Sequence, residues 1–203
     1  MGNIQVIPPA LDRLVQSFSA LPGIGAKTAT RLALTILRRS PSEAREMAGA
    51  LAELHGSIRL CSQCMAFSET DPCSVCADPR RDASFVCVVE QPADLLAIEK
   101  TDHYRGHYHI LHGVLSPVDG IGPDEIKVKE LLKRLQQGTI KEVLIATSST
   151  VPGEATASFL IDTLKRFQIR LSRLACGIPM GMDIKYADQH TLARAIEARS
   201  EAS

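Results

Sequence analysis

Phe85-Val86-Cys87-Val88-Val89-Glu90 sets five apolar residues, three of them valine, in a run of strand length and closes it with a carboxylate. A run that is apolar at every position reads as a strand buried on both faces. Downstream, such runs alternate with helical patterns. A helix near Pro92–Glu99 precedes a strand at Tyr108–Leu111, and a helix near Ile126–Gln136 precedes a strand at Glu142–Ala146. A helix near Glu154–Phe167, a strand at Ile169–Leu174 and an amphipathic helix at Thr191–Arg199 complete the order. Strands alternating with helices predict an α/β class with a parallel sheet. Ser116–Asp124, with two Pro and two Gly, is a loop between elements.

Upstream the pattern is helical. Leu11, Leu14, Val15 and Phe18 share one helix face, and Ala26, Ala29, Leu32, Ala33, Ile36 and Leu37 share another. Between them lies Leu21-Pro22-Gly23-Ile24-Gly25, a turn that reads as a helix-hairpin-helix. Gly23 and Gly25 let the backbone approach a phosphate, and the first N–H groups of the second helix point at that anion. Lys27 and Arg31, four residues apart, share a face and neutralise neighbouring phosphates without reading sequence. One hairpin covers little of a duplex, so a second copy from another subunit is expected, which predicts a symmetric oligomer. A third helix opens at Ser40-Pro41-Ser42-Glu43, where Ser40 caps, Pro41 takes the first helical position and Glu43 completes a capping box.

Cys61-x2-Cys64-x8-Cys73-x2-Cys76 presents two Cys-x-x-Cys knuckles, the pattern of a structural zinc site with all four positions filled by sulfur. A redox Cys-x-x-Cys would occur singly, at a helix start after a strand. Cys87 and Cys176 stand apart in apolar surroundings and read as small core residues.

Glu90 falls at the carboxyl end of a buried strand, where open α/β sheets place ligands. Magnesium-dependent phosphoryl chemistry requires further acids beside it. The next core strand instead runs into Thr147-Ser148-Ser149-Thr150, hydroxyls suited to capping a helix. Glu154 complements a helix N-terminus, and Asp119 and Asp124 lie in the Ser116–Asp124 loop. A Mg-dependent nuclease or primase-like enzyme is therefore the alternative rather than the leading reading. His103, His107, His109 and His112 lack a carboxylate or cysteine partner and read as packed, hydrogen-bonded side chains.

The chain has 203 residues, 45% of them hydrophobic, which excludes disorder as the dominant state. Its 23 basic and 23 acidic side chains balance, which excludes coating of nucleic acid by bulk charge. An aromatic content of 4% with no Trp excludes a platform of stacked rings. The balance is an average: residues 1–60 carry seven basic and four acidic side chains, and the remainder sixteen and nineteen. Met1–Gln16 contains no secretory leader, Val6 breaks the myristoylation pattern, and no stretch approaches a membrane span, so a cytoplasmic location is expected.

Taken in order, the chain resembles the bacterial recombination mediator family RecR over nearly its whole length. The likeness rests on LPGIGAKTATRLA (Leu21–Ala33), the finger from Cys61 to Cys76 followed by CADPRRD (Cys76–Asp82), VCVVEQPADLLAIEKT (Val86–Thr101), YRGHYHILHGVLSPVDGIGP (Tyr104–Pro123) and GIPMGMDIKYADQHTLARAIEAR (Gly177–Arg199). The resemblance implies a helix-hairpin-helix over 1–58, a four-cysteine zinc finger over 59–82, a Toprim domain over 83–175 and a Walker-B-like segment with a helix over 176–203. It implies a non-enzymatic, ring-shaped tetramer that works with RecO and RecF to load recombinase onto gapped or single-stranded DNA. By the same carry-over, Gly23, Gly25, Lys27 and Arg31 meet DNA, and Cys61, Cys64, Cys73 and Cys76 hold one Zn2+. Glu90, Asp119 and Asp124 belong to a partner-facing Toprim surface. Pro152-Gly153-Glu154 departs from the family pattern by removing an acid, and Gly181-Met182-Asp183 departs by replacing a glycine.

Overall fold

A computed structural model describes residues 7–199. The readings of residues 1–6 and 200–203 lie outside the described residues. The chain forms two compact units, Met1–Ile58 and Arg59–Ser203.

The first unit holds α1 (Pro9–Ser19), α2 (Ala26–Arg38) and α3 (Pro41–Ser57). Helices α1 and α2 pack on each other, and α2 buries only Ala29 and Ala33, small residues that admit a close helix approach. The turn between them needs glycine once: Gly23 sits at φ +78°, in the left-handed region, while Ile24 N–H donates to the Leu21 carbonyl at 3.1 Å. Ser40 Oγ caps α3 by accepting from Glu43 N–H at 3.3 Å, and Pro41 opens the helix. The reciprocal bond from Glu43 back to Ser40 is not formed among the described residues, so half of the expected capping box is present. Helix α3 buries none of its residues and leaves Met47, Leu51 and Leu54 exposed on one face.

The second unit opens with a hairpin of β1 (Arg59–Leu60) and β2 (Phe67–Ser68) and a short helix α4 (Ser74–Ala77). Its body is a four-stranded sheet of β3 (Asp82–Val89), β4 (Gly106–Ile110), β5 (Glu142–Ala146) and β6 (Arg170–Arg173), every pairing parallel, in the order β4-β3-β5-β6. The side-chain alternation of strands divides two cores. Val86, Val88, Val143 and Ile145 join Leu131 and Leu135 of α6 (Val128–Leu135) and Leu160 and Leu164 of α7 (Val151–Leu164). On the opposite side Cys87, Val89, Tyr108, Ile110 and Ala146 pack with Leu95 of α5 (Pro92–Glu99) and with Met65 of the hairpin. A last helix, α8 (Gln189–Glu197), is capped by Asp188, whose carboxylate accepts from Thr191 N–H at 2.9 Å.

Because β4 lies on one side of β3 and β5 on the other, the connection reverses direction between β3 and β5. A crevice opens there at the carboxyl ends, beyond Val89 and Ala146. The structure corrects one reading of the sequence. Cys176 is exposed, since the chain leaves the sheet after Arg173 and its apolar neighbours follow it outward. Glu154 stands in the first turn of α7, as the sequence suggests, and there Arg173 also grips both of its carboxylate oxygens at 2.8 Å.

Candidate nucleic-acid interface and metal centre

Gly25 is the N-cap of α2 and offers no side chain to the free N–H groups of the first turn. A Cβ added at Gly23 or at Gly25 would meet nothing within 4 Å, so neither glycine is required by packing inside the unit. The turn is bare on its outer side, and Lys27 and Arg31 stand exposed on the helix that follows. Ion pairing divides the chain. All ten salt bridges among the described residues join side chains between Asp78 and Glu197. None involves Arg13, Lys27, Arg31, Arg38, Arg39 or Arg45.

The four cysteines converge. Their sulfurs lie within 4.8 Å of one another and all four residues are buried. Cys64 and Cys73 Sγ are 3.5 Å apart, close to the ~3.8 Å edge of a tetrahedron with Zn–S of about 2.3 Å. Cys73 N–H donates to Cys61 Sγ at 3.3 Å, and Asp71 Oδ1 takes both the N–H and the hydroxyl of Ser62 at 2.8 Å, tying one knuckle to the other. These donors fit one structural Zn2+ with no open coordination position. The bound ion supplies cross-linking of two loops that have little core of their own.

The finger is fastened to the sheet. Cys64 carbonyl accepts from Ile110 N–H at 2.9 Å, and Met65 carbonyl accepts from His112 Nε2 at 2.6 Å. Arg134 Nη1 donates to Tyr108 carbonyl at 2.7 Å and to Gln63 carbonyl at 3.3 Å, while its Nη2 meets His107 Nδ1 at 3.1 Å. Nearby, Arg81 pairs with Glu99, which also accepts from Tyr108 Oη at 2.7 Å. The edge strand β4 is thereby covered rather than left as an open template. The histidines are committed to these and similar bonds. His109 is fully buried and donates from Nε2 to Lys127 carbonyl at 2.6 Å, and its pKa is pushed down to about 4 by burial. His103 bonds Thr101 carbonyl at 2.6 Å. Burial pushes the Cys87 thiol up to about 12, which leaves it an inert core group.

At the crevice, Glu90 Oε1 accepts from Ser148 N–H at 2.6 Å. Thr150 Oγ1 accepts from Gly153 N–H at 3.3 Å and caps α7, as the hydroxyl run anticipates. Gly153 is obligatory by contact: a Cβ there would lie 2.2 Å from Ser148 carbonyl oxygen and 2.8 Å from Glu90 Oε1. Glu90 thus sits against the N-terminal turn of α7, a favourable place for an anion. The crevice, of about 350 Å³, is lined by Glu90, Asp94, Thr147, Arg173 and Cys176 among others, and neither Asp119 nor Asp124 is among its walls. Asp119 accepts from Ser116 Oγ, and Asp124 pairs with Lys129 at 3.0 Å. Among the described residues the four cysteines form the one cluster of three or more His, Cys, Asp or Glu donors close enough to hold an ion. Sequence reasoning missed Arg134 and the Arg81–Glu99 pair, whose partners lie 18 to 71 residues away.

Family comparisons follow the same divisions. The family described as "RecR, helix-hairpin-helix" matches residues 11–55, and the family described as the four-cysteine zinc finger domain of RecR matches 58–78. The Toprim domain matches 84–175 and "RecR, C-terminal" matches 177–200. Recombination protein RecR of Anaeromyxobacter sp. (strain Fw109-5) is 54% identical over 94% of this chain and 96% of its own length. The protein of that name from Moorella thermoacetica is 50% identical over 96% and 98%, and that from Syntrophobacter fumaroxidans is 49% identical over 95% and 96%. With the hairpin, the four-sulfur centre and the parallel sheet in one chain, and relatives of this identity matched almost end to end, the chain belongs to the RecR recombination-protein family.

Proposed function

We propose that this protein is a non-enzymatic, DNA-binding recombination mediator of DNA repair that acts in the cytoplasm as an oligomeric clamp. In this reading, residues 1–58 grip phosphates through Gly23, Gly25, Lys27 and Arg31, and residues 59–82 form the zinc finger. Residues 83–175 and 176–203 serve protein partners and subunit contacts, with Glu90, Asp119 and Asp124 on the partner side. The partners are RecO and RecF, and the outcome is loading of recombinase on gapped or single-stranded DNA. The observation that carries the reading is that Lys27 and Arg31 stand exposed with no carboxylate partner among the described residues, beside a glycine turn that packing does not require. The exposed apolar face of α3, with Met47, Leu51 and Leu54, supports assembly into a tetrameric ring. In the test, the chain is incubated with nicked, gapped and supercoiled DNA in the presence of Mg2+ or Mn2+. Binding without change to the DNA is expected, from a particle of tetramer mass. Turnover abolished by Glu90→Ala, or a strict monomer, overturns the proposal.

A further inference from the structure

Lys27 and Arg31 do not end the cationic face of α2. Arg38 stands seven residues beyond Arg31, two turns along, and all three stand on one open face of α2 together with Thr30, Leu34 and Thr35. None of the three cations has a carboxylate partner among the described residues. The hydroxyls between them are already used: Thr30 Oγ1 donates to Ala26 carbonyl at 2.9 Å and Thr35 Oγ1 to Arg31 carbonyl at 2.8 Å. Leu34, between the charges, contributes only an apolar wall. This face therefore offers cations and no free side-chain hydroxyl donors, a surface that attracts phosphates.

We infer that α2 carries a three-cation phosphate track, Lys27–Arg31–Arg38, in which Arg38 is an additional nucleic-acid contact that extends binding away from the glycine hairpin. The track spans about 16 Å at 1.5 Å per helical residue. On a strand whose phosphates advance about 3.4 Å along the axis, that reaches phosphates some four to five steps apart. Arg39 supplies the internal control. It is the C-cap, with extended backbone at φ −77° and ψ 169°, and it lies off that face although it too is exposed.

The inference rests on the reading of α2 as a phosphate-binding helix, and the experiment separates the two. Affinity of the full chain for a gapped duplex is measured from about 50 to 200 mM salt for the wild type, Lys27→Ala, Arg38→Ala, Arg38→Lys and Arg39→Ala, with circular dichroism confirming each fold. Each lost phosphate contact lowers the salt slope by about 0.9. Arg38→Ala is expected to show that loss, its affinity deficit shrinking about threefold across the salt range. Arg38→Lys and Arg39→Ala are expected to keep the wild-type slope. A wild-type slope for Arg38→Ala beside a reduced slope for Lys27→Ala overturns the track and leaves the hairpin reading standing. Wild-type slopes for both overturn the track and the phosphate-binding helix together. An equal loss in Arg39→Ala shows bulk charge at work and also overturns the track.

Discussion

Arg134→Ala tests whether the zinc finger is held by the sheet. One guanidinium joins three backbone or ring acceptors across the junction: Tyr108 carbonyl on β4, Gln63 carbonyl inside the first knuckle, and His107 Nδ1. Hydrogen bonds from a charged donor contribute about 1.5–3 kcal/mol each, and the 3.3 Å bond to Gln63 belongs at the weak end. Because Tyr108 is fully buried, its abandoned carbonyl regains little from water. At the low end of that range the two shorter bonds alone contribute about 3 kcal/mol, which for a chain of this size lowers the melting temperature by about 6–12 °C. The assay is thermal unfolding followed by circular dichroism, run in parallel with zinc release to a coloured chelator. Arg134→Ala should melt early and release zinc faster, and Arg134→Lys, which keeps charge but loses the planar fork, should fall between it and the wild type. Melting within about 1 °C of the wild type with an unchanged release rate would refute the fastening of finger to sheet.

Further outcomes follow from the same geometry. Cys73→Ser should abolish zinc binding, and hydrogen exchange should then quicken not only over residues 61–77 but also at β4, where the Cys64 carbonyl accepts from Ile110 N–H; unchanged exchange at β4 would contradict the coupling. His109 is buried as the neutral ring, its pKa pushed down to about 4 against an unfolded value near 6.5, chiefly by burial. Between those values the unfolded chain binds a proton that the folded chain refuses, so stability falls as pH drops from about 6.5 to 4, by about 3 kcal/mol from this residue. Denaturant titrations should show that acid loss in the wild type and a shallower one in His109→Gln. Equal acid sensitivity in both would remove His109 from the account.

What the sequence discloses, it discloses through local chemistry. Phe85–Val89 and Val143–Ala146 are apolar because both faces of an inner parallel strand are covered, so their strands are legible to within three residues. The zinc ligands are legible because two Cys-x-x-Cys pairs leave few other uses for four sulfurs in so short a segment. Helix α7 starts three residues before the predicted position, since Pro152 and Gly153 suggest a loop, whereas Thr150 caps and proline fits the first turn. Cys176 is deceptive because apolar neighbours imply burial only where the chain stays in the sheet. The crevice contacts of Glu90 and Glu154 depend on Ser148 and Arg173, 58 and 19 residues away, and only the closing of β5 and β6 beside β3 brings them together. No local pattern carries that information. Arg38 is different: its place seven residues beyond Arg31 is readable from helix periodicity alone.

If the first unit holds DNA by its phosphates, the Lys27→Ala/Arg31→Ala double variant loses part of that grip. Both side chains are exposed and unpaired among the described residues, so the fold should be unaffected. The measurement is the slope of log affinity against log salt for a duplex. The account expects the double variant to bind more weakly at low salt and its slope to fall by about 1.8 for each contacting hairpin. A slope and affinity equal to the wild type would contradict it.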